Sequence, residues 1–114
     1  NLHYLSLEKF GALIGEKKDD ILIFQAHPFR SGMAPAADWL LDGLEVYNGN
    51  RRHDSKNKKA DNYAEEHGLR KISGSDFHEN EDLARGGIIT TKKADKTAEL
   101  LKILKNNNYS LIKS

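Results

Sequence analysis

The sequence predicts an α/β fold with a largely parallel sheet. The first ground is alternation: helical periodicity and short apolar segments follow one another along the chain, as when strands are joined by crossover helices. The second is the run Ile21-Leu22-Ile23-Phe24, which suits a strand buried on both faces. The third is length, since 114 residues make a single domain, 1–114, rather than two. The order is helix, strand, helix, strand, helix, strand, loop, strand, helix, strand. Strands that are short and separated by helices also match part of a (β/α) barrel.

Each element has its own local reason. Leu7, Phe10, Leu13 and Ile14 recur at helical spacing, with Ser6 as N-cap. Ile21 to Ala26 is apolar apart from Gln25 and reads as the first strand, ended by His27-Pro28 because proline cannot continue a central ladder. Phe29 to Ala34 reads as loop, and Asp38 to Leu41 as a short helix with Trp39 and Leu40 for packing. Leu44 to Tyr47 is the second strand, closed by the turn signal Asn48-Gly49-Asn50. Arg51 to Lys59 is polar and expected to be exposed. Ala60, Tyr63, Ala64 and His67 share a helical face, and Gly68 sits where a C-cap glycine belongs. Leu69 to Ser73 is the third strand, Gly74 to Asn80 a polar loop, and Ile88 to Thr91 the fourth strand. Ala94 to Leu104 is the last helix, with Ala94, Thr97, Ala98, Leu101 and Leu104 facing one way, before a final strand from Tyr109 to Ile112.

Composition narrows the function classes. Charged residues make up 31% and hydrophobic residues 38%, with net charge +1 and both signs interspersed. No broad basic field is present, which disfavours nucleic acid as a partner. With no cysteine there is neither a disulfide framework nor a thiolate metal site. The apolar runs are too short to span a bilayer, and no signal-peptide pattern opens the chain. A reducing cytoplasm is the expected location. The chain opens on Asn1 rather than Met, as a processed or excised piece would.

In parallel α/β sheets the working residues gather beyond the carboxyl ends of the strands. Here those places hold His27 after the first strand, Glu45 and Asn48 at the end of the second, and Asp76 and His78 after the third. Imidazoles and carboxylates converging on one edge make a metal-site composition, suited to zinc, manganese or iron. Such ions lower the pKa of bound water from about 15.7 to about 7 and so provide a nucleophile for a phosphate ester. Gly74 permits the tight path that brings Asp76 and His78 to one edge. Plainer readings stand beside these. His27 can be a strand-end histidine bonded to backbone, and Asp76 a turn cap beside a solvated His78. Glu45 is as much scaffold as pocket, and Asn48 before Gly49 is more often a turn residue. His53 reads as solvated, and His67 as filling its helix face.

Three strings, in this order, resemble the later motifs of the polymerase and histidinol phosphatase (PHP) superfamily: His27-Pro28-Phe29-Arg30, Asp42-Gly43-Leu44-Glu45-Val46-Tyr47-Asn48-Gly49, and Gly74-Ser75-Asp76-Phe77-His78. Lys58 to Gly68 is similar to the family's intervening helix, and Gly86 to Ile112 to the segment after its last motif. The resemblance implies the C-terminal portion of a distorted (β/α)7 TIM-like barrel, mostly parallel strands alternating with helices, with divalent metal ions at its mouth. It implies metal-ligand roles for His27, Asp76 and His78, and pocket roles for Glu45 and for Arg30, whose fork fits phosphate oxygens. The implied activity is hydrolysis of a phosphomonoester or phosphodiester in a phosphorylated small molecule or nucleotide. The family's first motif, a His-x-His pair, is absent, and His3 does not match it. An incomplete barrel leaves strand edges to cover, so self-association is expected. The alternatives are a non-catalytic module for interaction or regulation, and an accessory domain for nucleic-acid processing.

Overall fold

The computed structural model describes residues 6–114; His3 lies outside them. Ser6 opens helix α1 (Leu7–Gly15), its hydroxyl accepting the Lys9 N–H at 3.2 Å. Strand β1 (Phe24–Gln25), β2 (Gly43–Asn48) and β3 (Arg70–Gly74) form a parallel sheet in the order β1-β2-β3. Helix α2 (Asn57–Glu66) connects β2 to β3. Strand β4 (Gly86–Thr90), helix α3 (Thr97–Lys105) and β5 (Tyr109–Lys113) follow, and β4 pairs with β5 antiparallel in a second sheet. The α/β class and its parallel sheet are therefore present. The last strand pair departs from the parallel expectation, because α3 returns the chain against β4 in the opposite sense.

The core sits between β2 and α2. Leu41, Leu44, Val46 and Ala64 form a buried cluster, with Ile23, Tyr63, Leu69 and Leu111 packed around it. Ala60 and Ala64 are buried one turn apart on α2, where small side chains let the helix lie close over the strand. The helix ends as its sequence predicts. Gly68 takes φ +63, the Leu69 N–H reaches the Ala64 carbonyl at 2.9 Å, and the Gly68 N–H reaches Glu65 at 3.4 Å, a Schellman closure. The other end is tied to the sheet. The Asn57 side chain accepts the Asn48 N–H at 3.0 Å and donates to the Asn48 carbonyl at 3.3 Å, standing in for a strand neighbour.

Several local expectations need correction. The expected first strand, residues 21–26, shrinks to Phe24–Gln25, half-buried and paired only with β2. Asp42 replaces part of the missing ladder, its carboxylate accepting the Ile23 N–H at 2.8 Å while its own N–H donates to the Ile23 carbonyl. Residues 38–41 form turns instead of a helix, because only i+3 bonds close there. Trp39 is 64% exposed, although its ring lies across Gly11 of α1. The stretch after Arg51 is not uniformly exposed, since Ser55 is buried and α2 already begins at Asn57. On α3 the buried residue is Ile103 rather than Ala98, since the helix starts only at Thr97 and meets the core by its last turn. His67 does not fill a core face; it stacks on the Tyr63 ring and meets Asp38 at 2.6 Å.

The two sheets are joined by side chains rather than by a continuous ladder. The Ser73 hydroxyl donates to the Ile112 carbonyl at 2.5 Å and accepts the Gly87 N–H at 3.2 Å. Tyr109 donates to the Lys71 carbonyl, and Tyr47 to that of Ser114. Gly86 passes so close to the Gly74 carbonyl that no side chain fits. Among the described residues, no helix is long and apolar enough to cross a membrane.

Candidate functional site

Because β1, β2 and β3 are parallel, their carboxyl ends open on one rim, where His27, Asn48 and Asp76 follow one another across the sheet. Two of these residues sit in backbone conformations that side chains rarely adopt: His27 has φ 30 and Asp76 φ 49. Such strain persists only where surrounding bonds enforce it, and it clusters at working sites.

The enforcing bonds are visible. Glu45, buried in β2, accepts the His27 N–H at 2.8 Å and the Asn48 side-chain amide at 3.0 Å. Its other carboxylate oxygen lies against Gly74, where a Cβ would collide with it. One side chain thus touches the ends of all three strands. A regular strand would forbid the Glu45–Asn48 bond, since residues three apart point to opposite faces. The register shift between Glu45 and Tyr47 reverses the alternation and puts both side chains on one side.

Asp76 carries the charged contacts of the rim. Its carboxylate accepts from Arg30 at 2.8 Å and from Asn48 at 3.3 Å. Burial pushes its pKa up, but the Arg30 and Asn48 hydrogen bonds and the charges of Arg30 and His78 outweigh that and hold it below the usual carboxylate range. Arg30 is itself braced by the buried Ser55 hydroxyl at 2.9 Å. The His78 ring sits beside the Asp76 carbonyl at 2.8 Å and its carboxylate at 3.5 Å, while most of the ring, 68%, faces solvent.

The structure therefore brings together Arg30, Asn48, Asp76 and His78, with Glu45 beneath them. It turns the His27 ring elsewhere, its Nδ1 lying 3.1 Å from the Met33 sulfur. Among the described residues, no three His, Asp or Glu side chains gather closely enough to hold a metal ion. His53 is exposed, outside this group.

Sequence reasoning placed one residue that matters here at a strand end but weighed it as a turn residue, and passed over another. Asn48 reads as a turn residue but is buried and bonded to Glu45 and Asp76. Asp82 carried no signal, yet it is 2% exposed and accepts the His78 and Glu79 N–H groups, each at 2.9 Å, and Arg52 at 2.7 Å. Burial alone would raise the Asp82 pKa; the two backbone N–H groups and the Arg52 guanidinium prevail and lower it to about 2. The available clue was the spacing of Asp82 from Glu79, a capping-box pattern in which each side chain bonds the other's backbone.

No curated protein and no solved structure matches the chain. A family model described as PHP-associated matches residues 54–109. The matched span takes in α2, β3, the Asp76–His78 loop, β4 and α3, and leaves His27, Arg30, Glu45 and Asn48 before it. Over residues 54–109 the chain is thus similar to the PHP-associated family, consistent with a C-terminal region of the PHP superfamily.

Proposed function

We propose that this chain is the carboxyl-terminal part of a metal-dependent phosphoesterase of the PHP type, acting on a phosphomonoester or phosphodiester of a small molecule or nucleotide. The observation that carries the reading is the rim itself. The Asp76 carboxylate, held below its usual pKa and on a residue at positive φ, meets the exposed His78 imidazole and the Arg30 guanidinium at the carboxyl ends of parallel strands. The donor chemistry fits a divalent ion such as zinc, manganese or iron. A stand-in cation already occupies the Asp76 carboxylate in the form of the Arg30 guanidinium. Asp76 and His78 would hold the ion, and His27 would join them once its ring leaves the Met33 sulfur. A divalent ion bound there supplies Lewis acidity toward a phosphoryl oxygen and offsets its charge.

The chain's own residues divide the remaining work. Arg30 offers a planar fork that can exchange the Asp76 carboxylate for phosphate oxygens. Glu45, expected at first as a pocket carboxylate, acts as a scaffold, since its Oε2 accepts both the His27 N–H and the Asn48 amide while Oε1 lies beside Gly74. The test is isothermal titration of the 114-residue chain with manganese and zinc, beside His78→Ala and Asp76→Asn, together with hydrolysis of a chromogenic phosphomonoester. Saturable binding that both substitutions abolish is expected. Binding that neither substitution changes overturns the reading.

A second reading, a non-catalytic module that self-associates, draws on one observation. Leu7, Leu13 and Trp39 are exposed on or beside α1. Light scattering separates the two: a monomer that binds metal supports the enzyme part, and a metal-free dimer supports the module.

A further inference from the structure

Three alternate residues, from the last of β2 onward, reach across to the Asp76–His78 loop and the turn that follows it. Asn48 donates to the Asp76 carboxylate at 3.3 Å. Asn50 donates to the Asp76 carbonyl at 3.2 Å. Arg52 bonds Asp82 at 2.7 Å, Glu81 at 2.6 Å and Glu79 at 3.2 Å. The same side chains also lock one another's backbone. The Asn48 side-chain oxygen accepts the Asn50 N–H at 3.0 Å, and the Asn50 oxygen accepts the Arg52 N–H at 3.0 Å. These are consecutive Asx turns, in which an asparagine bonds the backbone two residues on. They set the spacing of the rungs, so that every second side chain crosses to the loop.

We infer that Asn48, Asn50 and Arg52 form a positioning ladder that holds the Asp76–His78 loop in its ligand-receiving shape before any ligand arrives. The inference rests on the phosphoesterase reading for what the loop receives, but not for the ladder's mechanical role. Asn50 is the central rung. It is 2% exposed, among the most buried side chains of the molecule, and its amide spends both ends on this task. The far end is anchored by Asp82, whose carboxylate fixes the His78 and Glu79 N–H groups while it holds Arg52. Loop residues held on both sides in this way arrive preorganised, which is what a site built on a loop otherwise lacks. No rung touches the proposed ligand-bearing atoms except Asn48, so Asn50 and Arg52 act through Asp76 and His78 as positioning residues.

The test uses an aromatic reporter inside the loop. Phe77 is 53% exposed and offers chymotrypsin a cleavage point there, whereas Tyr63 on α2 reports unfolding of the core. The variants are Asn50→Ala, Asn50→Asp, which keeps the acceptor for Arg52 but loses the donor to Asp76, and Arg52→Met. Arg51→Met, an exposed neighbour outside the ladder, is the control. Cleavage at Phe77 is expected to accelerate about tenfold in each ladder variant, as loss of hydrogen bonds raises the open population, with cleavage at Tyr63 unchanged. Titration with manganese should weaken in parallel. If Asn50→Ala does not fold, Arg52→Met at the exposed end carries the test. Cleavage at Phe77 at the wild-type rate in folded Asn50→Asp and Arg52→Met overturns the ladder. If the wild-type chain binds no manganese yet these variants are cleaved faster at Phe77, the ladder stands and the metal reading fails.

Discussion

Leu44→Ala tests the arrangement that presents the site. Leu44 lies in β2, is 0% exposed, and packs in the cluster of Leu41, Val46 and Ala64. Its strand is hydrogen-bonded to β1 on one edge and β3 on the other, so the backbone around a void cannot close on it. The cost then falls in the upper part of the Leu→Ala range, about 3–4 kcal/mol. A chain of this length unfolds with an entropy of about 0.24 kcal/mol/K, so the melting temperature drops by about 12–17 °C. Against a total stability of about 5–15 kcal/mol, that is a large share. Thermal and urea unfolding followed by circular dichroism measure it, with Leu83→Ala as reference. Leu83 is 72% exposed, and its truncation should stay within about 0.5 kcal/mol of wild type. A fall of less than about 4 °C for Leu44→Ala would show that the core is not organised around β2, and the rim would lose its rigid base.

Two further outcomes follow from the same structure. Gly86→Ala drives a Cβ onto the Gly74 carbonyl and to 2.9 Å from the Ser73 hydroxyl, so it should lose about 2–3 kcal/mol in urea unfolding. Gly15→Ala meets nothing within 4 Å at the end of α1 and should instead gain about 0.5–1 kcal/mol; equal effects at the two glycines would contradict the close approach of β3 and β4. Asp82 supplies the pH dependence. Its folded pKa of about 2 lies below the ordinary 3.8, so the unfolded chain takes up the proton first as pH falls. Its contribution is complete above about pH 4 and is lost as the solution passes down through about pH 2. Asp82→Asn should be less stable at neutral pH and show a shallower acid decline; an unchanged acid limb would remove Asp82 as the loop's anchor.

Much of this molecule was legible from local pattern. The Ser6 cap, the Ala60–Ala64 face and the Gly68 closure follow from spacing within a turn or two, and all stand in the structure. The order of helices and strands, apart from the helix expected at 38–41, is of the same kind, as is the placement of His27, Asn48 and Asp76 at strand ends. Where packing overrode pattern, the reading failed: an apolar run at 21–26 formed only two strand residues, because the edge of the sheet pairs it with β2 alone.

The site's wiring was beyond local pattern. Arg30 meets Asp76 across 46 residues, and Arg52 meets Asp82 across 30. Periodicity has no range at such separations; the pairs exist because parallel strands deliver their ends to one rim. A single register shift in β2 decides that Glu45 and Asn48 cooperate rather than face apart, and the antiparallel return of β5 decides what braces Ser73. Residue types announce a chemistry, but backbone geometry assembled over long distances selects which of them can act together.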